Sequence, residues 1–273
     1  MNKPQHVLMV LSGKGGVGKS TVAVNVAVAL AHWLEVGILD ADLHGPNVPK
    51  MLGIEGATMP LRDGKPVPVS TPHNLVVASL AFALPRADAP VIWRGPLKMK
   101  AIQQLLEDVA WPPLDLLVVD LPPGTGDEAL SVAQLVGRGE AAVVVTTPQE
   151  VALLDASKAV NFARKVGVER IGLVENMAGL VCPHCGQEIA LYGVGGGEEL
   201  AARMGVPFLG RIPLLPAVVQ GGDRGRPAVL LPQARGPFLA LAERVLSLLE
   251  GPEEGSSRPK APHGGEKPKL TPS

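Results

Sequence analysis

A glycine-rich loop between a short apolar strand and a helix constrains the fold of this chain more than any other feature. Residues 7–11 read VLMVL, and the ten residues that follow read SGKGGVGKST. The spacing Gly13-x-x-x-x-Gly18-Lys19-Ser20 is the phosphate-binding P-loop pattern, which is meaningful only between a strand and a helix. Its glycines let successive backbone N–H groups turn toward one anion at a helix N-terminus. The sequence therefore predicts an α/β domain with a nucleotide site at this loop.

Each residue type in the loop has an expected task. Lys19 should reach the β- and γ-phosphates, and the Ser20 hydroxyl should ligate Mg²⁺. The loop backbone and the Thr21 side chain should bind further phosphate oxygens. The predicted nucleotide contacts are Gly13, Gly15, Gly16, Val17, Gly18, Lys19, Ser20 and Thr21.

Lys14 is a second lysine inside the loop, and it marks the deviant form GKGGVGK[ST]. In proteins with that form, this lysine reaches the nucleotide of the facing subunit in a dimer. It would act catalytically as an arginine finger does, because it neutralises charge that develops during phosphoryl transfer. The alternative is a solvated lysine in a glycine loop. Lys14 therefore favours a homodimer.

Apolar runs alternate with helical stretches along the rest of the chain. Several runs are apolar at every position, which is typical of parallel strands buried on both faces. Strands are predicted at residues 6–11, 36–40, 75–80, 114–120, 141–146, 170–175 and 208–212. Helices are predicted at residues 19–34, 97–110, 127–136, 151–166, 197–204 and 237–249. This alternation predicts a doubly wound, mostly parallel sheet of about seven or eight strands with helices on both faces.

The predicted organisation is one P-loop NTPase domain over residues 1–250, followed by a tail. Residues 54–74 are rich in proline and contain an Asp63-Gly64 turn, so we expect loops and a short hairpin there rather than a second domain. From residue 251 the chain is rich in proline and glycine, with few apolar side chains. We therefore expect residues 251–273 to be disordered.

Composition excludes several classes of protein. The net charge of −1 and the pI near 6.6 argue against a generally basic nucleic-acid-binding protein. No apolar run reaches the roughly 20 residues that a membrane span needs, and no secretory signal precedes the first apolar segment. The 2 cysteines are too few for a disulfide scaffold. We expect a cytoplasmic protein without a nucleic-acid or membrane partner.

Carboxylates follow two of the predicted strands. Asp40 ends one strand, Asp42 lies just beyond it, and Asp120 ends another. The carboxyl ends of parallel strands form the edge where α/β folds bind ligands. We expect Asp120 to hold Mg²⁺ directly or through water, Asp40 to lie near the metal, and Asp42 to orient or deprotonate the attacking water. For Asp127, a role in the site and a role as the cap of the helix that it begins are equally supported.

Both cysteines lie in the sequence Cys182-Pro183-His184-Cys185-Gly186. Two thiolates at this spacing can ligate one zinc ion or one edge of an iron–sulfur cluster, or they can form a redox pair. A four-thiolate site needs two more cysteines, which a second copy of the chain would supply. His184 is interpreted as a bystander between two chelating residues. The cysteine pair and Lys14 thus independently favour a homodimer.

Eight segments together resemble the Mrp/ApbC family of P-loop ATPases, which carry iron–sulfur clusters. They are residues 13–21, 40–47, 91–96, 120–127, 175–177, 182–186, 193–200 and 211–214, in the order of the family. The deviant P-loop alone would also fit the septum-site and plasmid-partition ATPases and the nitrogenase iron protein. The Trp93-Arg94-Gly95-Pro96 stretch and the cysteine segment are much more specific to the Mrp/ApbC family than the P-loop is.

The resemblance implies a homodimer that bridges a labile [4Fe–4S] cluster through Cys182 and Cys185 of both subunits. It also implies a cluster donor, transfer of the cluster to apo-proteins, and slow ATP hydrolysis coupled to cluster handling. By the same likeness, Asn176 and Pro213 would face the adenine. The Asn-Lys-x-Asp sequence of common GTPases is missing, which favours ATP. The alternatives are a positioning ATPase that cycles on membrane or DNA, and the same ATPase with a structural zinc clasp.

Overall fold

The structure is a computed structural model that describes residues 4–42, 45–83, 95–137, 139–182 and 184–251. Its strands are β1 (His6–Ser12), β2 (Val36–Asp40), β3 (Leu61–Arg62), β4 (Lys65–Pro66), β5 (Val69–Ser70), β6 (Leu75–Ser79), β7 (Leu116–Asp120), β8 (Ala141–Thr146), β9 (Arg170–Asn176), β10 (Leu180–Val181), β11 (Glu188–Ile189) and β12 (Phe208–Ile212). Its α-helices are α1 (Lys19–Leu30), α2 (Val48–Met51), α3 (Gly95–Glu107), α4 (Asp127–Val136), α5 (Glu150–Lys165), α6 (Gly196–Met204), α7 (Pro216–Asp223) and α8 (Arg235–Glu250).

Within the described residues, eight strands form one sheet in the order β12-β9-β8-β1-β7-β2-β6-β5. Neighbouring strands are parallel except β5 and β6, which are antiparallel. Strands β2, β7 and β8 are buried at every residue. Uninterrupted apolar runs form such strands because helices exclude water from both faces of the sheet. The predicted doubly wound, mostly parallel sheet is confirmed.

Alternate side chains of β1 enter two different cores. Leu8 and Val10 pack in a core with α1 and α8, whereas Met9 and Leu11 pack in a core with α3, α4, α5 and α6. Successive residues of a strand point to opposite faces, so one apolar run anchors both helical layers. This packing fixes the end of β1, from which the P-loop emerges. Among the described residues, no helix has the length and apolar character to cross a bilayer.

Most predicted elements are present, with shifted ends. Strands β2, β8 and β12 and helix α4 have the predicted bounds. Helix α1 ends at Leu30 rather than at residue 34, because the N–H of Trp33 donates to the Leu30 carbonyl and tightens the chain into a turn. The predicted hairpin is β3 and β4, with Asp63 and Gly64 at φ of 52° and 77°. These positive φ values are those of a two-residue hairpin turn.

Several elements were not predicted. The short helices α2 and α7, strand β5 and the hairpin of β10 and β11 have no counterpart in the sequence interpretation. Helix α7 contains two adjacent glycines, which have low helix propensity, so its periodicity gives a weak signal. Residues 43–44, 91–94 and 252–273 lie outside the described residues, so the predictions for the Trp93-Arg94 segment and for the tail stay predictions.

Candidate functional site

The P-loop lies between β1 and α1 and packs against helix α5 and strand β9. Gly18 immediately precedes α1 with φ of +88°, and a Cβ added there would lie 2.1 Å from the side-chain nitrogen of Asn176. A Cβ added at Gly13 would lie 2.1 Å from the carbonyl oxygen of Asp155 on α5. No L side chain fits either position without displacement of its neighbour. The two glycines that the P-loop pattern specifies are therefore required by the packing of the loop.

Lys19 and Ser20 begin α1 and converge on one carboxylate. Lys19 Nζ donates to Asp120 Oδ1 at 2.7 Å and lies 3.6 Å from Asp42 Oδ2. The Ser20 hydroxyl donates to Asp120 Oδ2 at 2.5 Å. Asp120 ends β7, which neighbours β1 in the sheet, so the strand order places this carboxylate beside the loop. The structure brings together the lysine, the serine and two of the three aspartates that the sequence singled out, Asp42 and Asp120.

Asp40 ends β2 and is buried beside this cluster. Its register partner on β7 is Asp120, so the two carboxylates stand side by side at the edge of the sheet. The hydroxyl of Ser79, at the end of β6, donates to Asp40 Oδ2 at 3.0 Å. Burial and then the charge of Asp120 raise the pKa of Asp40 well above its usual value, and burial also raises the pKa of Asp120.

The donor set around Lys19 fits Mg²⁺. The Ser20 hydroxyl and the Asp120 carboxylate are adjacent oxygen donors, the ligand type that Mg²⁺ prefers. The three carboxylates, of Asp40, Asp42 and Asp120, are each less than a tenth exposed. All three interact electrostatically with the ammonium group of Lys19. A bound divalent cation would offset the burial and repulsion that raise the carboxyl pKa values.

The loop after Asp120 rests on the P-loop. Gly124 adopts φ of +90°, and its N–H donates to the Ser12 carbonyl at 2.8 Å. The Ser12 hydroxyl is buried and has no hydrogen-bond partner in the described part of the chain. Asp127, which begins α4, is exposed. A movement of this loop would therefore reach the backbone that precedes the phosphate-binding glycines, as a switch segment requires.

A cavity of about 240 Å³ opens beside the first turns of α1. Asn176 and Pro213, the residues predicted to face adenine, both line it, together with Thr21 of the P-loop pattern. Apolar side chains of α7 complete the wall, including Val218 and Val219. A mostly apolar cavity with a few polar groups suits a planar base, and the adenine contacts stay a prediction.

Two buried asparagines connect this cavity to the loop. The side chain of Asn176 donates to the Val17 carbonyl at 2.9 Å. Asn25 on α1 donates to the Thr21 carbonyl at 2.8 Å and accepts from the Val229 N–H, also at 2.8 Å. Asn25 was not predicted as part of the site. A polar residue inside an otherwise apolar helical run was the available signal, since such a residue needs partners when it is buried.

The cysteine pair lies at the tip of the β10–β11 hairpin. The Cys182 N–H donates to the Gln187 carbonyl at 2.8 Å, and the Gly186 N–H donates to the Cys182 carbonyl at 2.9 Å. Cys182 is partly exposed and Cys185 is exposed. The backbone N–H groups of Cys185 and then His184 lower the pKa of the Cys182 thiol, which favours the thiolate that ligates metals.

Exposed apolar side chains lie close to the two cysteines in the sequence. Val181 is 52% exposed, and further exposed apolar residues on and after the hairpin are Ile189, Leu191, Tyr192 and Val194. Within the described residues, no group of three or more His, Cys, Asp or Glu is placed to hold a metal ion. The two cysteines are thus solvent-accessible thiols close in sequence to exposed apolar residues, and Lys14 on the P-loop is likewise partly exposed.

The sequence interpretation gave no role to two residues near the site. Ser79 holds Asp40, and it carries no signal because serine is common at strand ends. Glu175, which precedes Asn176 on β9, is fully buried and accepts hydrogen bonds from the N–H groups of Gly195 and Gly197. A charged residue inside an apolar strand was the signal that marked Glu175, because buried charges require partners.

Comparison with known proteins gives consistent similarities. A family model described as ParA, NUBPL iron-transfer P-loop NTPase, matches residues 3–246. The iron–sulfur cluster carrier protein of Methanocaldococcus jannaschii is 46% identical over 257 residues, which cover 93% of this chain and 88% of that protein. The nucleotide-binding protein of Archaeoglobus fulgidus, solved in complex with ADP, is 38% identical with a TM-score of 0.71, over 81% of this chain and 87% of that one.

A lower similarity links the chain to septum-site proteins. MinD of Pyrococcus horikoshii, solved with Mg-ADP, is 25% identical with a TM-score of 0.67, over 88% of this chain and 95% of that one. The family model spans the P-loop, the aspartates and the cysteine hairpin. The resemblance to iron–sulfur P-loop ATPases is confirmed, and the chain belongs to the NUBPL iron-transfer P-loop NTPase family.

Proposed function

We propose that this protein is an ATP-dependent carrier that holds a [4Fe–4S] cluster between two copies of the chain and delivers it to apo iron–sulfur proteins. The observation that carries the proposal is the solvent-accessible pair of thiols, partly exposed Cys182 and exposed Cys185, on a hairpin with exposed apolar residues. Two thiolates are half of the four that such a cluster takes. The name of the archaeal relative, iron–sulfur cluster carrier protein, supports the same cargo. We place the protein in the cytoplasm, with a separate cluster donor.

ATP hydrolysis is assigned to the cluster of charged groups at the P-loop. Lys19 would move from Asp120 onto the β- and γ-phosphates, and Ser20 and Asp120 would then hold Mg²⁺, which neutralises phosphate charge. Asp42, 3.6 Å from Lys19, would orient the attacking water and take up its proton. Lys14 of a second copy would stabilise charge on the transferred phosphoryl group.

The nucleotide state would reach the cluster through the dimer. ATP between two P-loops draws the copies together, because each Lys14 contacts phosphate across the interface. Loss of phosphate releases the loop after Asp120, which is held to Ser12 through Gly124. Such a loop has two arrangements that the γ-phosphate biases, and this is how a local chemical event changes an interface.

Metal analysis tests the cargo. After anaerobic reconstitution, we expect about four iron and four sulfide per dimer. Cys182→Ala should lose them, whereas His184→Ala, at the same hairpin tip, should retain them. Zinc alone in anaerobically purified wild-type protein, or a Cys182→Ala protein that keeps the cluster, would contradict the proposal. Zinc alone would instead support a structural clasp.

A further inference from the structure

Glu175 makes an unusual set of contacts for a residue inside a buried strand. Its side chain is 0% exposed. Oε1 accepts from the Gly195 N–H at 3.0 Å, and Oε2 accepts from the Gly197 N–H at 2.5 Å. Both glycines lie at the start of α6, which follows the cysteine hairpin in the chain. The two carboxylate oxygens thus hold the segment that leaves the hairpin.

The glycines in this segment permit the contact. A Cβ added at Gly197 would lie 2.9 Å from Glu175 Oε2, and one added at Gly196 would lie 2.5 Å from Leu153 Cδ1 on α5. Gly195 has φ of +96°, which L side chains rarely adopt. The three consecutive glycines therefore let the start of α6 approach the buried carboxylate, and the segment has little room to shift independently of it.

The segment that enters the hairpin is held by the next residue of β9. The Asn176 side chain donates to the Val17 carbonyl of the P-loop. Met177 follows with φ of +57°, a strained value for a residue other than glycine, and β10 begins three residues later. Met177 also lines the cavity beside α1. Consecutive residues of β9 therefore connect both ends of the cysteine hairpin to the nucleotide loop.

The charge of Glu175 is balanced at the surface. Arg211 Nε on β12 lies 3.4 Å from Glu175 Oε1, and another nitrogen of the same guanidinium donates to Glu198 Oε2 at 2.5 Å. The N-terminus of α6 also favours a negative charge at this position. The carboxylate is thus compensated for its burial. Exposed Glu198 pairs with the same arginine, which makes it a suitable control position.

We propose that Glu175 is a positioning residue that transmits the nucleotide state of the P-loop to the cysteine hairpin. A shift of Val17 on nucleotide binding moves Asn176, and Glu175 carries the same displacement of β9 to the glycines at the start of α6. The inference rests on the proposed function, since it assigns the route by which ATP alters the cargo site. Glu175 touches neither nucleotide nor cluster in this scheme.

Thiol reactivity in the metal-free protein tests the route. We expect Mg-ATP to change the alkylation rate of Cys182 and Cys185 about fivefold or more in the wild type, the lower range of allosteric coupling. In Glu175→Gln, whose amide nitrogen cannot accept an N–H, the rates with and without Mg-ATP should agree within about twofold. Nucleotide affinity should stay close to wild type. Glu198→Gln, altered at the same arginine, should keep the full response.

The outcomes separate the route from the proposed function. An unchanged nucleotide response in Glu175→Gln, or no response in a wild-type protein that binds Mg-ATP, overturns the route. Failure of the proposed function is different, because the wild type would then bind no nucleotide or assemble no cluster. If Glu175→Gln does not fold, hydrogen exchange of the wild-type protein tests the route instead. Mg-ATP should slow exchange at Gly195 and Gly197 as well as in the P-loop, and protection confined to the P-loop contradicts the proposal.

Discussion

Asp40 is a carboxylate in an environment that opposes its charge. It is 1% exposed, stands beside Asp120 in the sheet, and has a pKa that burial and this neighbour raise well above its usual value. One hydroxyl, from Ser79, and the Asp42 N–H donate to it. A folded protein keeps such a group at a cost in stability, usually because the group has a function. The function that we propose here is to help bind a divalent cation.

Asp40→Asn should therefore stabilise the nucleotide-free protein. Above the unfolded pKa of about 3.9, the native state holds a proton that the unfolded chain has lost, so wild-type stability falls as pH rises toward the native pKa. The gain from the amide should increase with pH and reach on the order of 0.5–2 kcal/mol at neutral pH. Urea unfolding across this range measures it. Asp108→Asn, at an exposed position, should show no such trend.

At the scale of elements, the P-loop is shaped by what packs around it. Helix α5 approaches Gly13 through the backbone of Asp155, and β9 approaches Gly18 through Asn176. Gly15 lies between them in sequence, and a Cβ added there meets no heavy atom of the described chain within 4 Å. The glycines of the loop are thus unequal. Gly13 and Gly18 leave no room for a side chain because α5 and β9 pack against them, whereas Gly15 has no such neighbour in the described chain.

The variants Gly13→Ala and Gly15→Ala should therefore differ in their free energy of unfolding. The Gly13 methyl would overlap the backbone of α5, which cannot yield as a side chain does, and we expect a loss of about 1–3 kcal/mol in the free energy of unfolding. Gly15→Ala should change it by less than about 0.5 kcal/mol. Denaturant unfolding without nucleotide measures both. Equal losses would show that α5 does not constrain the loop.

At the scale of the whole molecule, three features of the surface support the proposed homodimer. The cysteine hairpin supplies two thiols, and Lys14 is partly exposed while Lys19 is buried among carboxylates. The apolar side chains on the hairpin add a surface that water disfavours. A homodimer would satisfy all three requirements with one association, and its formation would depend on nucleotide if Lys14 contacts phosphate across the interface.

Lys14→Ala and Lys19→Ala should fail in different ways. Lys14→Ala should bind ATP nearly as well as the wild type, but should lose ATP-dependent dimerisation and about 10²-fold or more of its hydrolysis rate. Lys19→Ala should lose tight nucleotide binding as well, because its ammonium group serves the phosphates of its own chain. Sedimentation and nucleotide titration distinguish the two variants. An ATP-dependent dimer of Lys14→Ala would exclude the lysine from the interface.

Prediction from sequence succeeded where a local pattern has one physical solution. Uninterrupted apolar strands require cover on both faces, and the P-loop pattern at Lys19 and Ser20 requires a strand before it and a helix after it. It failed for Ser79, Asn25 and Glu175, whose partners lie 39, 204 and about 20 residues away along the chain. No local pattern contains such contacts.

The sequence by itself determined the α/β class, the phosphate loop, the aspartates at strand ends and the paired cysteines, because each depends on residue types at short spacing. Tertiary structure alone decided which residues contact one another. Strand order placed Asp120 against Lys19, and packing placed the start of α6 on Glu175. Contacts between distant residues follow from the order of strands and the packing of buried groups, and these are properties of the whole chain.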